Sequence, residues 1–402
     1  MNIIKKIGLP SLLILLMQLS MYPYVFQLFF GFPKENIMGI LFFALIFMYC
    51  IFIRRKKKGM SRGLIAVMVI QSVFWFFYFF LFNDTSYFTR IFFIALTFMA
   101  LSMLLWKDHV SNFLNVYCKF LTIQGVLGVV AFVLVFIGVL QPLMSIETDN
   151  GYGSINFYGL TCSNAVFGNF MRVGGFFDEP GALAFWGMFA LLFNKLTFDN
   201  RKLEIILIIS LLFTFSAAYF ILLPIYFVCY YSSKIKTMIL TLLIIVPLSL
   251  VIFQTLSSSS EFMYYTIERF SGDQIRSKRF DQSDNAEELF RRAPVLGLGA
   301  QNFDEQGGTT VTDNPYEILA KDGVVGFIIT YLPLIYIVLK YWRRKEVLFA
   351  AAILMLDYVQ RPFHINEMHY LMLYLFCLLI EIKYSRPIRE SQYQLFKANV
   401  KS

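Results

Sequence analysis

Long runs of apolar residues recur along the chain and are separated by short polar or basic segments. Continuous apolar runs of about 20 residues are typical of α-helices that cross a lipid bilayer. The alternation of apolar and polar residues that a membrane barrel requires does not occur. We therefore expect an all-α, polytopic membrane protein with about twelve spans, at approximately residues 8–30, 36–53, 63–82, 91–106, 120–140, 182–196, 203–216, 219–231, 237–254, 323–340, 347–358 and 369–382.

Two parts of this assignment leave alternatives open. Residues 203–231 must cross twice if the basic segments that flank them lie on one side, and each helix then has only about 14 residues. The run 347–358 is also short and contains Asp357. Eleven spans, or a re-entrant segment at this run, are therefore alternatives to twelve.

Basic clusters predict the orientation, because the cytoplasmic loops of membrane proteins carry an excess of lysine and arginine. Threading one integral membrane domain (1–402) from a cytoplasmic N-terminus leaves a cytoplasmic tail at 383–402. It makes 141–181 and 255–322 large outer loops and 357–370 a short one. All the basic clusters then face the cytoplasm: 54–58, 200–202, 234–236, 343–345 and the tail from Lys383.

The composition supports this class and narrows the function. Of the 402 residues, 58% are hydrophobic and only 15% are charged, which is more apolar surface than a soluble domain can bury. The net charge of +9 comes from the clusters between apolar runs, so it argues against a nucleic-acid partner. The first run has no small-x-small cleavage site, and we expect an uncleaved first span.

Several kinds of chemistry lack their sequence patterns. The predicted spans hold almost no charged residues away from their ends and no internal repeat with broken helices, which argues against a transporter. We find no phosphate-binding glycine loop, no GxSxG turn and no convincing metal-ligand spacing, so we expect neither a metal nor another cofactor. Polar residues concentrate in the outer loops, and this favours chemistry at the outer membrane face.

The stretch RVGGFFDEPGALAFW (172–186) places charged residues directly before a predicted span. Pro180 suits the first turn of a helix, where its missing N–H costs nothing. Asp178 and Glu179 then lie beside a helix N-terminus, which stabilises negative charge.

Three segments together resemble the bacterial O-antigen polymerase and O-antigen ligase superfamily. RVGGFFDEPGALAF (172–185) is similar to its motif of Arg, Gly and an acidic residue before Pro at the start of a span. RFDQSDNAEELFRRAPVLGLGAQNF (279–303) is similar to its Arg, amphipathic helix, Pro and Gly-x-Gly. DNPYEILAKDGVVGF (313–327) is similar to its helix that ends at Gly-x-x-Gly. The resemblance implies a multispan glycosyltransferase of GT-C type that uses undecaprenyl-diphosphate-linked sugars.

Two departures from the family pattern bear on the activity. Ligases, and some polymerases, place a histidine where this chain has Thr312 or Asp313, depending on which alignment is used. The segment TFSAAYF (214–220) lacks the arginine of the Ser-Arg-Gly that is common in the superfamily. Both departures favour a polymerase over a ligase.

The implied reaction needs cations to neutralise the diphosphate leaving group and a base to accept the proton of the attacking hydroxyl. Arginine is suited to the first task because its planar guanidinium grips phosphate oxygens bidentately. The leading candidates for diphosphate binding are Arg172 and Arg279, with Arg291, Arg292 and Arg361 in reserve. The candidate bases are Glu179, Asp313 and His364.

Each candidate also has a purely structural interpretation. Arg172 can anchor the membrane interface or pair with Glu179, and Glu179 can simply be a charge at a helix start. Asp313 suits a helix N-cap, Arg291 and Arg292 suit a solvated helix face, and a lone interfacial histidine is often a bystander. Three aromatic residues of the first outer loop can either stack on sugars or belong to an interfacial belt: Tyr152, Phe157 and Tyr158.

The resemblance predicts two partners besides the bilayer, an undecaprenyl-diphosphate-linked oligosaccharide and a chain-length regulator protein. Three other functions compete with the polymerase. An O-antigen ligase would transfer the glycan to lipid A core, and a lipid-linked oligosaccharide flippase would need a polar central cavity. A chain-length regulatory subunit would have few spans.

Overall fold

The structure is a computed structural model, and it describes residues 8, 11, 60–105, 109–147, 154–168, 170–177, 179–231, 285–308, 316–360 and 367–384. These residues are mostly helical. The helices are α1 (Arg62–Phe82), α2 (Thr85–Leu105), α3 (His109–Phe136), α4 (Pro180–Thr197), α5 (Arg201–Leu212), α6 (Ala217–Tyr231), α7 (Ala300–Glu305), α8 (Tyr316–Thr330), α9 (Leu332–Lys340), α10 (Lys345–Gln360) and α11 (Glu367–Tyr384). Residues 285–292 are also helical.

Four helices of the described part are long and apolar enough to cross a membrane: α1, α2, α3 and the nearly continuous pair α8–α9, Tyr316–Lys340. Large apolar side chains remain exposed on their outer faces, such as Val73 and Phe80 on α1 and Ile123 on α3. Water would penalise such a surface, whereas lipid does not. The chain is therefore a multi-pass helical membrane protein.

Helix α4 lies at the centre of one half of the bundle. Every residue from Pro180 to Thr197 except Lys195 is buried, and the helix packs against α3, α5, α6 and α10. A helix that is apolar all round needs such complete burial. Glu179, the residue before Pro180, therefore lies at the N-terminus of a fully packed helix.

Residues 203–231 form two separate short helices, as the pattern predicted. Helix α5 ends at Leu212 and α6 begins at Ala217, so a tight turn at 213–216 connects them. Phe215 in this turn adopts a left-handed backbone conformation with φ +47°.

A series of contacts brings three of the predicted basic clusters, 200–202, 343–345 and the tail from Lys383, to one end of the bundle. Lys195, near the α4–α5 turn, donates to the Tyr231 hydroxyl at the end of α6 (3.0 Å). The adjacent Tyr230 donates to the Glu346 carbonyl at the start of α10 (3.5 Å), and Lys383 at the end of α11 pairs with the Glu346 carboxylate (2.9 Å). We call this end of the bundle the basic end and the opposite end the loop end. The clusters at 54–58 and 234–236 lie outside the described residues.

The expectation of an all-α chain is wrong for part of the first predicted outer loop. Two small antiparallel sheets form there: β1 (Met144–Glu147), β2 (Ser154–Phe157) and β3 (Cys162–Ser163) make one, and β4 (Val166–Phe167) with β5 (Phe170–Met171) makes the other. Strands of two to four residues are too short for an alternating pattern to reveal them.

Candidate functional site

The segment 172–177 lies at the loop end, between the small sheets and the helices below. The Arg172 N–H donates to the Ala165 carbonyl, and the Val173 N–H donates to the Phe213 carbonyl, both at 3.0 Å. Gly175 has φ +62°, and the amide oxygen of Gln124 on α3 accepts a hydrogen bond from the Phe176 N–H (3.1 Å). The backbone N–H groups of residues 172, 173 and 176 are therefore hydrogen-bonded to other parts of the chain.

The side chain of Arg172 reaches the turn between α5 and α6. Its Nε donates to the Thr214 carbonyl and its Nη2 to the Phe215 carbonyl, both at 3.0 Å. Carbonyls at a helix C-terminus carry partial negative charge, so they stabilise a cation there. The segment 214–220 has no arginine of its own, and the half-buried guanidinium of Arg172 lies against it instead.

Glu179 occupies the N-cap position of α4 with an extended backbone (φ −138°, ψ 151°). Pro180 lies in the first turn of the helix, as predicted. The Glu179 side chain makes no capping hydrogen bond to the helix, so capping does not explain this glutamate. Asp178 lies outside the described residues.

A buried histidine lies beside the first turns of α4. The centre of the His369 ring lies 5.4 Å from the centre of the Phe185 ring and 5.3 Å from the centres of both the Trp186 and Tyr358 rings. The candidate base His364 lies outside the described residues, whereas His369 is one of them. The sequence pattern around His369 indicates only a core residue of α11 and does not indicate a functional one.

Two of the three predicted reserve arginines, Arg291 and Arg292, lie on a solvated surface. Arg291 pairs with Glu287 and Arg292 pairs with Glu288, each at 2.7 Å and one helical turn apart. Their side chains are 75% and 54% exposed. The geometry is that of ordinary surface pairs, and their role in diphosphate binding stays a prediction.

The remaining predicted residues divide into two groups. Phe157, at the end of β2, and Tyr158, directly after it, are only 5% and 2% exposed, so this structure does not support the interpretation in which their rings stack on sugars. The others lie outside the described residues: Tyr152, Arg279, Asp313, Arg361 and His364.

A buried ion pair at the loop end was not predicted from the sequence. Arg90 on α2 donates to the Asp322 carboxylate on α8 at 2.6 Å, and both side chains are fully buried. The Tyr87 hydroxyl donates to the same carboxylate (2.9 Å). The neighbouring Lys321 is also buried, and it pairs with Glu317, which lies one turn earlier on α8 (2.8 Å). The apolar run begins after Arg90 and so predicts this residue just outside a span, whereas α2 begins at Thr85.

A broken helix accompanies this pair, at the position where the sequence predicts the start of a span. Gly323, inside α8, has φ +66° and ψ −177°, a conformation that is essentially restricted to glycine. A Cβ atom on Gly323 would lie 2.3 Å from the Val295 carbonyl oxygen, and one on Gly297 would lie 2.3 Å from the Lys321 carbonyl oxygen. The Gly-x-Gly and Gly-x-x-Gly segments noted in the sequence therefore pack directly against each other.

Comparison with known proteins supports the resemblance seen in the motifs. Residues 203–331 match the family model described as O-antigen ligase. The matched range contains the α5–α6 turn that binds Arg172 and the broken helix α8. No curated protein and no solved structure matches the chain.

Proposed function

We propose that this member of the O-antigen polymerase and ligase superfamily polymerises lipid-linked polysaccharide repeat units. In the proposed reaction a sugar hydroxyl of one lipid-linked unit attacks the anomeric carbon of the glycan carried by another. The bond from that carbon to undecaprenyl diphosphate breaks, and the diphosphate leaves with the bonding electron pair. The reaction takes place at the outer face of the cytoplasmic membrane.

The observation that carries this proposal is the fixed guanidinium of Arg172 at the loop end. Two carbonyls of the α5–α6 turn hold Nε and Nη2, so the cation is oriented before a substrate arrives. Preorganised charge stabilises a developing anion without a cost of reorganisation at the moment of reaction. Arginine also stays protonated throughout, which suits it to a diphosphate leaving group.

The proton of the attacking hydroxyl goes to a carboxylate in this proposal, and Glu179 is the candidate among the described residues. It follows Arg172 by seven positions, at the N-terminus of the rigid helix α4. General-base catalysis of this kind typically contributes about 10²–10⁴ in rate. Asp313 and His364 are the alternatives if Glu179 only supports the cation.

The chain's own sequence supports polymerisation over ligation, since it lacks the ligase histidine at Thr312 or Asp313. The second candidate is the O-antigen ligase, because that is the description of the matching family. A ligase would use the same donor and the same cation but would take lipid A core as the acceptor.

The glycan profile of a deletion strain on a gel separates the two activities. Loss of a polymerase leaves lipid A core carrying a single repeat unit, because ligation of one unit continues. Loss of a ligase leaves core with no repeat unit. We expect the single-repeat band, and bare core would contradict the polymerase proposal.

A further inference from the structure

Residues 285–308 form a small unit at the loop end, which we call the loop module. Three of its buried apolar side chains, Ala286, Leu289 and Phe303, pack with Ala320 of α8 in a cluster separate from the main core. The module carries the Pro and Gly-x-Gly segment of the family resemblance. Because its own core is so small, its placement depends on how it is attached to the membrane helices.

Backbone hydrogen bonds attach the module to the broken region of α8. The Leu298 and Gly299 N–H groups donate to the Ala320 and Lys321 carbonyls at 2.9 Å. Two further bonds, at 2.9 and 3.1 Å, run from the N–H groups of 324 and 325 to the carbonyls of 294 and 295. Residues 320–325 therefore form the interface to which the module is hydrogen-bonded.

A second attachment comes from the turn between α1 and α2. The Asp84 carboxylate accepts from the Gln301 N–H at the start of α7 (3.1 Å). A Cβ atom on Gly299 would lie 2.8 Å from the ring of Phe82, so backbone and ring are in close contact. Ala300 lies between these two contacts and is buried.

Asp322 holds residues 320–325 against the membrane helices, because three side chains of those helices bond to it. Its carboxylate accepts from Arg90 (2.6 Å) and Tyr87 (2.9 Å), and its carbonyl accepts from Tyr78 (2.9 Å). The Arg90 guanidinium lies 4.5 Å from the centre of the Trp75 ring. The residue that immediately precedes the break at Gly323 is thus held from α1 and α2 at once.

We propose that Arg90 and Asp322 are positioning residues, which dock the loop module on the membrane helices so that polymerisation can proceed. The activity part of this proposal rests on the proposed function, whereas docking does not. Removing one partner of a buried ion pair leaves an unpaired charge, which is far more costly than losing a surface pair. In a variant that lacks one partner, residues 320–325 move away from α2, which relieves that cost. The loop module moves with them.

Cysteine accessibility in purified, detergent-solubilised protein tests the docking directly. In a background without the five native cysteines, Ala300→Cys reports the interface with the α1–α2 turn, and Ala286→Cys reports the module's own core. Asp322→Asn should speed labelling at position 300 by at least about tenfold, which requires only part of the free energy that breaking a buried pair costs. Position 286 should stay protected, and Arg90→Lys, which keeps the charge pair, should give an intermediate rate.

Glu381→Gln is the matched control. Glu381 is also a fully buried carboxylate in an ion pair, with Lys340, but it lies at the basic end. This variant should leave position 300 protected and the polysaccharide ladder long, whereas Asp322→Asn should shorten the ladder towards single repeats.

Three results would overturn the proposal: protection at position 300 in Asp322→Asn, equal exposure of positions 286 and 300, or faster labelling at 300 with a ladder of normal length. The labelling experiment needs no active enzyme. Its outcome therefore separates a failure of the docking claim from a failure of the polymerase proposal.

Discussion

At the residue scale, the proposed site depends on one guanidinium whose direction is set by backbone carbonyls. A lysine at position 172 keeps the positive charge but loses the planar fork that bonds Thr214 and Phe215 together. We expect Arg172→Lys to keep partial polymerisation and Arg172→Ala to keep very little, measured as ladder length at equal protein level. Arg343→Ala, at the basic end, is the control and should behave as wild type. A normal ladder from Arg172→Ala would show that the diphosphate is bound elsewhere.

Glu179 allows a second test at this scale, because its two interpretations differ in size of effect. A charge at a helix start contributes only about 0.3–1 kcal/mol, so Glu179→Gln would then polymerise almost normally. If Glu179 accepts the proton or supports Arg172, the ladder should collapse towards single repeats while the protein level stays constant. We expect the collapse, and we expect the double variant with Arg172→Ala to be little worse than either single one.

Glu288→Gln is the matched control for this substitution. Glu288 is an exposed surface glutamate paired with Arg292, so its amide variant should give a normal ladder. If Glu179→Gln resembles this control, the base is to be sought at Asp313 or His364.

Local chemistry made some residues predictable from the sequence and hid others. Pro180 in the first turn of α4 follows from its fixed φ and missing N–H, which are properties of the residue alone. The partners of Arg172 could not be predicted, because Thr214 and Phe215 offer backbone carbonyls that carry no sequence signal. Asp322 was equally hidden, since its partner Arg90 is 232 positions away along the chain.

At the scale of elements, the break in α8 explains why two glycine-rich segments occur together. Gly323→Ala should lower the melting temperature in detergent, because it adds backbone strain of about 1–3 kcal/mol and a clash with the Val295 carbonyl. Gly307→Ala is the control: Gly307 also has positive φ (+79°) but has no atom within 4 Å of the added Cβ. Equal melting temperatures for the two variants would show that the close approach of Gly297 and Gly323 is unimportant.

Apolar runs predicted the helices well where lipid or core surrounds them, and less well where buried polar groups extend them. Helices α4, α6 and α10 begin and end within a few residues of the predicted spans. Helix α2 begins at Thr85 rather than 91, because Asp84 and Arg90 look like loop residues until their partners on α7 and α8 are known. For the same reason, the span predicted to begin at 323 belongs to a helix, α8, that begins earlier, at Tyr316.

At the scale of the whole molecule, the two ends of the bundle differ in charge and in structure. The basic end gathers Lys195, Lys383 and the cluster 343–345, whereas the loop end carries the sheets, Arg172 and the loop module. The excess of basic residues predicts that the basic end faces the cytoplasm. The proposed chemistry would then lie on the opposite side.

Labelling with an impermeant thiol reagent in intact spheroplasts tests this orientation. Ser154→Cys, in β2 at the loop end, should react before permeabilisation. Lys202→Cys, at the start of α5 at the basic end, should react only afterwards. The reverse pattern would place the sheets in the cytoplasm and exclude a donor on the outer leaflet.

The central claim is that this chain joins lipid-linked repeat units to one another, and reconstitution measures that reaction alone. Purified protein in liposomes would be supplied with undecaprenyl-diphosphate-linked repeat units and no lipid A core. We expect a ladder of lipid-linked polymers, absent with Arg172→Ala and present with Arg343→Ala. Release of glycan only after lipid A core is added, with one unit transferred per core, would contradict the claim and identify a ligase.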